Sequence, residues 1–302
     1  MGSKSMDYTN CVLCDSVNLE TYIYAKDMNA GRNILKCRQC GLVFFEDGKC
    51  NTLTLDDSYW DSSEHLRVYE KDIVQEDFKI EFRNRLKAIN QLKPKGKILD
   101  IGCGIGNFLN VARKDGWEVY GIEISKLAAD YARDKFGLNV CEGTVENCNL
   151  KDSSVDVITM WDVIEHIQNP LDALVAVRAK LKNGGLLVIK TPDEKSLFKF
   201  ISIILYKLSK RKISFLLKYV YYMPHYFYYN KKTIQKMLGK FGFEILKIET
   251  EETDYNFAKE KIKLHYKKFF SKRLILLILP FAIVVSRFFK LQNKMVVYAV
   301  KL

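Results

Sequence analysis

The sequence contains no apolar run long enough to cross a membrane and no apolar segment at its N-terminus. The most apolar stretch, residues 274–285, has 12 residues and includes Pro280, whereas a spanning helix needs about 20 residues. The chain begins Met-Gly-Ser-Lys-Ser-Met, which lacks the apolar region of a secretory leader. These two absences predict a cytoplasmic protein in which residues 274–285 form a buried or interfacial helix.

A cysteine pattern typical of a disulfide framework is also absent. Of the eight cysteines, four form two C-x-x-C pairs, Cys11 with Cys14 and Cys37 with Cys40, and the other four are isolated. Four thiolates arranged in this way suit a structural Zn2+ ion with tetrahedral coordination. The alternative is a set of reduced thiols without a metal. The pattern predicts a zinc-ribbon module at residues 7–50.

Acidic residues are scarce in the last third of the chain. From Lys195 to the C-terminus there are 23 Lys and Arg residues and 6 Asp and Glu residues. Residues 195–222 have apolar positions at helical spacing, which predicts either a basic amphipathic helix at an anionic membrane surface or a lid helix with a solvated face. The basic residues interleaved with these apolar positions are Lys199, Lys207, Lys210, Arg211 and Lys212.

From Gly96 onward, β-rich apolar runs alternate with helical patterns. This order predicts an α/β domain with a mostly parallel sheet covered by helices on both faces. We predict a helical linker or cap at residues 51–92, then the main domain at residues 93–302 with a lid inserted at about 193–230. Strands are expected at 97–101, 118–123, 138–141, 155–160, 185–190, 243–249 and 295–301, and helices at 107–115, 125–136, 169–182 and 231–242.

A glycine-rich turn follows the first of these strands. Residues 97–107 read Lys-Ile-Leu-Asp-Ile-Gly-Cys-Gly-Ile-Gly-Asn, and glycines let such a turn approach a ligand closely at the positive end of a helix dipole. The G-x-G-x-G spacing differs from the G-x-G-x-x-G of dinucleotide-binding proteins. A carboxylate, Glu123, follows Gly104 by 19 residues, where it can accept hydrogen bonds from two ribose hydroxyls. The alternative is the glycine turn of an unrelated α/β protein.

Residues 98–107, 121–125 and 155–166 resemble class I S-adenosylmethionine-dependent methyltransferases, most closely the ubiquinone-biosynthesis O-methyltransferases and bacterial sugar and lipid methyltransferases. The resemblance covers about residues 92–302. It implies a Rossmann-like sheet of seven strands whose last strand is antiparallel. It also implies that the glycine turn holds the methionine part of the cofactor, Glu123 the ribose and the Thr144 region the adenine. The cofactor-binding residues expected on this basis are Asp100, Gly102, Cys103, Gly104, Gly106, Asn107, Glu123, Ile124, Thr144, Val145 and Trp161.

The subgroup has an E-x-x-E-H tract after the fourth strand that has been linked to a divalent metal. This sequence has Asp162, Glu165 and His166 at the matching positions, so the resemblance implies that these three could hold Mg2+ near an acceptor hydroxyl. The alternative is that Asp162 caps the following helix while Glu165 and His166 pack against the sheet edge.

Methyl transfer requires positioning, and it requires a base where the acceptor must lose a proton. The candidate catalytic bases are Glu165, His166 and His225. His225 lies in a tyrosine-rich segment, residues 221–229, where the family places a cover over the acceptor pocket. The alternative is that His225 is a structural histidine.

These features predict a methyltransferase that acts on a small-molecule, sugar or lipid-linked acceptor, at a hydroxyl, with contact to an anionic membrane at the inner surface. One alternative is a ribosomal RNA methyltransferase that uses the zinc ribbon and the basic last third. The nucleic-acid alternative is disfavoured because the basic residues are interleaved with long aliphatic runs. A third alternative is a non-catalytic zinc-ribbon interaction protein.

Overall fold

The computed structural model describes residues 9–28, 32–46, 72–221, 225–253, 255, 259 and 280–302. The first part of the predicted linker, residues 51–71, and residues 274–279 of the predicted apolar helix lie outside the described residues. In the part of the chain that is described, no helix combines the length and the apolar character needed to span a bilayer.

The N-terminal residues form a small antiparallel sheet. Its strands are β1 (Leu19–Ile23), β2 (Ile34–Cys37) and β3 (Val43–Phe45), and the short helix α1 (Ala25–Met28) connects β1 to β2. β2 pairs with both β1 and β3. Val43, Phe44 and Phe45 are all buried, so β3 is covered on both faces.

A seven-stranded sheet forms the centre of the protein and confirms the predicted α/β class. Its order is β10-β11-β8-β7-β4-β5-β6. β4 pairs in parallel with β5 and β7, whereas β11 is antiparallel to both β8 and β10, as the family resemblance implied. The strands are β4 (Lys97–Ile101), β5 (Glu118–Glu123), β6 (Val140–Glu142), β7 (Val155–Trp161), β8 (Leu181–Pro192), β10 (Phe243–Glu251) and β11 (Lys294–Lys301).

Helices flank this sheet close to their predicted positions. One of them shows the local signals clearly: it begins where the Ser125 side chain accepts a hydrogen bond from the Ala128 N–H, and it ends at Gly137 with φ 59°, the conformation that favours glycine after a helix. The helices are α2 (Asp72–Leu92), α3 (Asn107–Lys114), α4 (Lys126–Phe136), α5 (Pro170–Lys180), α6 (Leu197–Leu208), α7 (Leu217–Val220) and α8 (Lys231–Lys240). Residues 280–288 are also helical.

The start of β8 differs from the prediction, which extended a helix to residue 182 and began the strand at residue 185. α5 ends at Lys180, and Leu181 already pairs with Val155 of β7. A Cβ on Gly185 would lie 2.8 Å from Leu181 Cδ2 and 2.8 Å from the Lys182 carbonyl oxygen. This glycine therefore permits close packing within the strand instead of ending the helix.

The insertion after β8 completes the N-terminal sheet. α6 and α7 lead to β9 (Phe227–Tyr228), which pairs antiparallel with β3 as a fourth strand. The rings of Phe44 and Phe227 lie 6.4 Å apart across this pair. Strands β1 to β3 and strand β9, which the sequence placed in separate units, therefore share one sheet.

Two basic residues predicted on the polar face of the insertion helix make internal contacts. Lys199 is 5% exposed and its Nζ lies 3.4 Å from Glu194 Oε2. Arg211 donates hydrogen bonds to both carboxylate oxygens of Asp27, at 2.7 and 3.1 Å, which ties the end of the insertion helix to the N-terminal sheet. Fewer basic side chains of residues 195–222 are therefore free to meet a membrane than the sequence pattern indicated.

Candidate functional site

The glycine turn between β4 and α3 depends on backbone that other residues would not tolerate. Gly102 and Gly106 have φ of +67° and +83°. A Cβ on Gly106 would lie 2.5 Å from Leu138 Cδ1, and a Cβ on Gly102 would lie 2.6 Å from Val163 Cγ2. The turn thus packs directly on the segment that follows β7, and the N-terminus of α3 begins at Asn107 beside it.

Two buried carboxylates lie at the ends of β4 and β5 beside this turn. Asp100 Oδ1 accepts a hydrogen bond of 2.6 Å from Thr159 Oγ1. Burial raises the pKa of Asp100 well above its usual range, although the Thr159 hydroxyl opposes this and the neighbouring Glu123 adds to it. The two oxygens of Glu123 accept hydrogen bonds from the N–H groups of Gly104 (2.7 Å) and Ser125 (3.0 Å). Glu123 therefore fixes the turn as well as lying where the sequence predicted a ribose ligand.

Three further residues predicted to bind the cofactor, Ile124 and the adenine residues Thr144 and Val145, lie beyond the end of β5. Ile124 directly follows Glu123 and is 52% exposed. The Gly143 N–H donates to the Glu123 carbonyl, and the Thr144 carbonyl accepts from the N–H groups of Asn147 and Cys148, which closes a turn next to β5. Val145 in that turn is buried, as is Cys103 in the glycine turn. Their roles in cofactor binding stay predictions.

Trp161 at the end of β7 is enclosed by aromatic rings. Its ring centroid lies 5.0 Å from Phe108 of α3 and 6.0 Å from Phe82 of α2. The indole Nε1 is buried and has no hydrogen-bond partner among the described residues. A buried N–H donor of this kind destabilises the folded state unless a ligand or a water molecule accepts its hydrogen bond.

Asp162 does not join the metal-binding triad that the family resemblance implied. Its backbone has φ 58°, and its carboxylate lies 2.6 Å from Lys294 Nζ and 4.0 Å from Lys190 Nζ. Burial opposes ionisation, but these two ammonium groups lower the pKa of Asp162 overall. The alternative of a helix cap is also wrong, because the short helix Ile164–His166 begins after Val163 with no side-chain cap. Asp162 is instead a carboxylate that lies beside one buried lysine, Lys190, and one partly buried lysine, Lys294.

The three candidate bases come together in the structure. Ligand atoms of Glu165, His166 and His225 all lie within 4.8 Å of one another, and the two imidazole centroids are 4.5 Å apart. Glu165 is 1% exposed; its Oε2 accepts a 2.8 Å hydrogen bond from Thr191 Oγ1, whereas its Oε1 has no hydrogen-bond partner in the described part of the chain.

Backbone hydrogen bonds hold His225 beside Glu165. The Tyr226 N–H donates to the Glu165 carbonyl at 2.8 Å, and the Phe45 N–H donates to the Tyr226 carbonyl at 3.0 Å. The N-terminal sheet, the insertion and the segment after β7 therefore meet at this cluster, which we call the Glu-His-His cluster (Glu165, His166 and His225).

Burial shifts the pKa values of two members of the Glu-His-His cluster, Glu165 and His225. Burial and the neighbouring Asp162 charge raise the pKa of Glu165 to about 8. Burial, together with the nearby His166, lowers the pKa of His225 well below its usual range. A neutral imidazole has a lone pair that can accept a proton or bind a cation.

The four cysteines of the two C-x-x-C pairs also converge. Cys11 Sγ lies 3.5 Å from Cys40 Sγ, and Cys14 Sγ lies 3.6 Å from Cys37 Sγ. All four sulfurs lie within 4.8 Å of one another, as tetrahedral coordination at Zn–S distances of about 2.3 Å requires. The donor set fits a closed zinc site.

A buried ionic network that the sequence pattern did not predict lies beside Asp162. Lys190 of β8 is 7% exposed and binds Glu81 of α2 and Glu251 of β10, while Arg85 of α2 pairs with Glu249 and Glu251. The available signal was a lysine in the otherwise apolar strand sequence Leu-Leu-Val-Ile-Lys, since buried charges are nearly always paired. This network fixes α2 over the ends of the central strands.

Comparison with protein families identifies a match to a model described as a methyltransferase domain, over residues 74–248. The mitochondrial ubiquinone biosynthesis O-methyltransferase of Schizosaccharomyces pombe is 32% identical over 117 residues, which are 36% of this chain and 42% of that protein. The ubiquinone biosynthesis O-methyltransferase of Roseobacter denitrificans is 34% identical over 100 residues, 32% of this chain and 40% of that protein. The chain thus matches less than half the length of these curated relatives.

Solved structures show the same fold. A SAM-dependent methyltransferase from Archaeoglobus fulgidus has a TM-score of 0.50 at 22% identity, covering 75% of this chain and 94% of that one. Magnesium protoporphyrin IX methyltransferase from Synechocystis PCC 6803, solved with bound SAH, has a TM-score of 0.50 at 16% identity, covering 81% of this chain and 97% of that one.

Proposed function

We propose that the chain, which belongs to the methyltransferase domain family, uses S-adenosylmethionine and transfers its methyl group to a hydroxyl of a small molecule. The observation that carries this proposal is the Glu-His-His cluster beside the glycine turn. Val163, whose side chain packs on Gly102, is only two residues from Glu165. Groups that can take up or stabilise the charge of an acceptor oxygen therefore lie next to the predicted methyl donor site.

The chemistry of the transfer explains why such a cluster suits a hydroxyl. The sulfonium of S-adenosylmethionine is already reactive, so the enzyme contributes mainly alignment of donor and acceptor. A hydroxyl is a weak nucleophile until its proton is removed or its charge is stabilised. The curated relatives are named as O-methyltransferases, which supports oxygen as the acceptor atom.

Replacing His225 with Gln is expected to lower turnover on the order of 100-fold, because a group that promotes loss of the acceptor proton, directly or by holding a charge-stabilising ion, contributes roughly 10²-fold or more. S-adenosylhomocysteine affinity, measured by calorimetry, should stay unchanged. The assay follows labelled methyl groups from S-adenosylmethionine into a catechol, a sugar nucleotide and total RNA. Label in the RNA fraction, or full turnover by His225→Gln, would contradict the proposal.

We also propose a structural zinc ion at Cys11, Cys14, Cys37 and Cys40. Closed four-thiolate sites of this kind stabilise small modules that have little core of their own. The role of the ion would be to hold β3, and through β3 the insertion strand β9, in place.

A lipid-linked acceptor is the finer form of this proposal and would place the protein at the cytoplasmic face of a membrane. Support comes from apolar side chains on α6 and on the helical residues 280–288 that face solvent. Leu208 is 78% exposed and Phe288 is 81% exposed, and the Leu197 N–H donates to the Leu291 carbonyl at 2.8 Å, which brings the two helices together. The exposed basic residues beside these side chains are Lys207, Lys210, Lys212, Arg287 and Lys290.

Vesicles containing phosphatidylserine are expected to co-sediment the wild-type protein, and less of it as salt is added. The double variant Leu208→Ser, Phe288→Ser should lose at least tenfold in vesicle affinity, because two exposed apolar anchors are removed. Val175→Ser is the matched control, since Val175 is 57% exposed on α5. Equal sedimentation of all three proteins would count against membrane contact.

A further inference from the structure

The Glu-His-His cluster has the composition of a transition-metal site, and it differs from the Mg2+ triad implied by family resemblance. That triad requires Asp162, whose carboxylate is engaged by Lys294 at 2.6 Å and lies 4.0 Å from Lys190. Mg2+ prefers a shell of oxygen ligands and water. The side chains that converge supply two imidazoles and one carboxylate, so the donor set does not fit Mg2+.

We infer that Glu165, His166 and His225 bind a divalent transition-metal ion such as Zn2+, Fe2+ or Co2+. Imidazole nitrogen suits these metals, and two histidines with one carboxylate is a recurrent ligand set for them. No two of the three ligand atoms are more than 4.8 Å apart. The site joins two parts of the chain, because His225 lies 59 residues after His166.

A second observation points to the same ion. Glu165 is almost completely buried, and its Oε1 has no hydrogen-bond partner among the described residues. A buried carboxylate oxygen without a partner destabilises the folded state. A cation bound to that oxygen would remove this unfavourable free energy. The other oxygen, Oε2, accepts a hydrogen bond from Thr191, which orients the carboxylate as outer partners of metal ligands do.

Three protein ligands leave coordination positions open, which is typical of catalytic and not of structural metal sites. A metal ion bound there would stabilise an acceptor oxygen as its proton is lost. This role rests on the proposed function; the metal site itself does not. In this arrangement His225 acts as a ligand, and the charged groups of Asp162 and Lys294 lie close enough to act on the cluster.

The test counts metal ions per chain in zinc-loaded protein after removal of loosely bound metal, by mass spectrometry of the dissolved protein. Wild type should hold two zinc ions, one at the cysteines and one at the Glu-His-His cluster. His225→Gln should hold one, and Asp162→Asn should hold two. Replacing zinc with Co2+ adds a second readout, because loss of the histidine site removes its weak visible bands and leaves the cysteine-to-cobalt absorption unchanged.

Each outcome decides the inference. Equal metal content in wild type and His225→Gln, whether one ion or two, would overturn it. Loss of an ion in Asp162→Asn but not in His225→Gln would also overturn it and would restore the family triad. S-adenosylhomocysteine binding serves as the folding control, and His166→Gln replaces His225→Gln if that variant fails it. A protein with two ions but no hydroxyl methylation would contradict the proposed function alone.

Discussion

Glu123→Gln is expected to weaken S-adenosylhomocysteine binding by at least about 100-fold. The Glu123 carboxylate accepts hydrogen bonds from the Gly104 and Ser125 N–H groups and is predicted to bind the ribose. Hydrogen bonds to a charged group contribute roughly 1.5–3 kcal/mol each, and about 1.4 kcal/mol corresponds to a tenfold change in affinity. The amide side chain of this variant carries no charge, and its N–H group would face one of the N–H donors of the turn. Calorimetry measures the affinity directly.

Glu142→Gln is the matched control for this experiment. Glu142 pairs with Glu123 in the register between β5 and β6, and its side chain is exposed. The substitution makes the same chemical change on the same sheet edge without touching the glycine turn. Equal affinities in the two variants would refute the role assigned to Glu123.

Cys37→Ser is expected to remove one zinc ion per chain and to unfold the N-terminal sheet. A structural zinc ion contributes roughly 10–16 kcal/mol to the folding of a small module, which far exceeds what the short strands β1 to β3 can supply from their own core. Because β9 pairs with β3, and Tyr226 links Phe45 to Glu165, we also expect turnover to fall by at least tenfold. Binding of S-adenosylhomocysteine should persist, since the glycine turn lies in the central sheet.

Zinc content, limited proteolysis and calorimetry together check this expectation. Cys141→Ser is the control, because Cys141 lies in β6 outside the two C-x-x-C pairs. Unchanged zinc content in Cys37→Ser would eliminate the structural zinc site. Loss of cofactor binding would show instead that the N-terminal sheet supports the glycine turn.

The central sheet could be predicted because its signals are local. Each strand is a short β-rich run, and the G-x-G-x-G turn is specified by the positive φ angles of Gly102, Gly104 and Gly106, which glycine adopts readily. The helix predicted at 125–136 has its cap at Ser125 and its stop at Gly137. Such features depend on neighbours in sequence, so they can be read without tertiary structure.

The error at β8 and the missed ionic network have a common cause. Two glycines after a helical pattern indicate a helix end, but pairing of Leu181 with Val155 extends the strand instead. Lys190 is tolerated in a buried strand only because Glu81 and Glu251 reach it from other elements. Contacts of this kind, between residues distant in sequence, override local propensity.

The sequence by itself determined the glycine turn, the strands of the central sheet, the two C-x-x-C pairs and the chemical types of the candidate bases, because those depend on local sterics, periodicity and residue chemistry. Only the tertiary structure decided which of them meet. The pairing of β9 with β3 brings His225 to Glu165, and the position of Lys294 on β11, 132 residues from Asp162, takes that carboxylate out of the expected triad. Strand pairing and buried charge compensation are long-range, and they set the composition of the site.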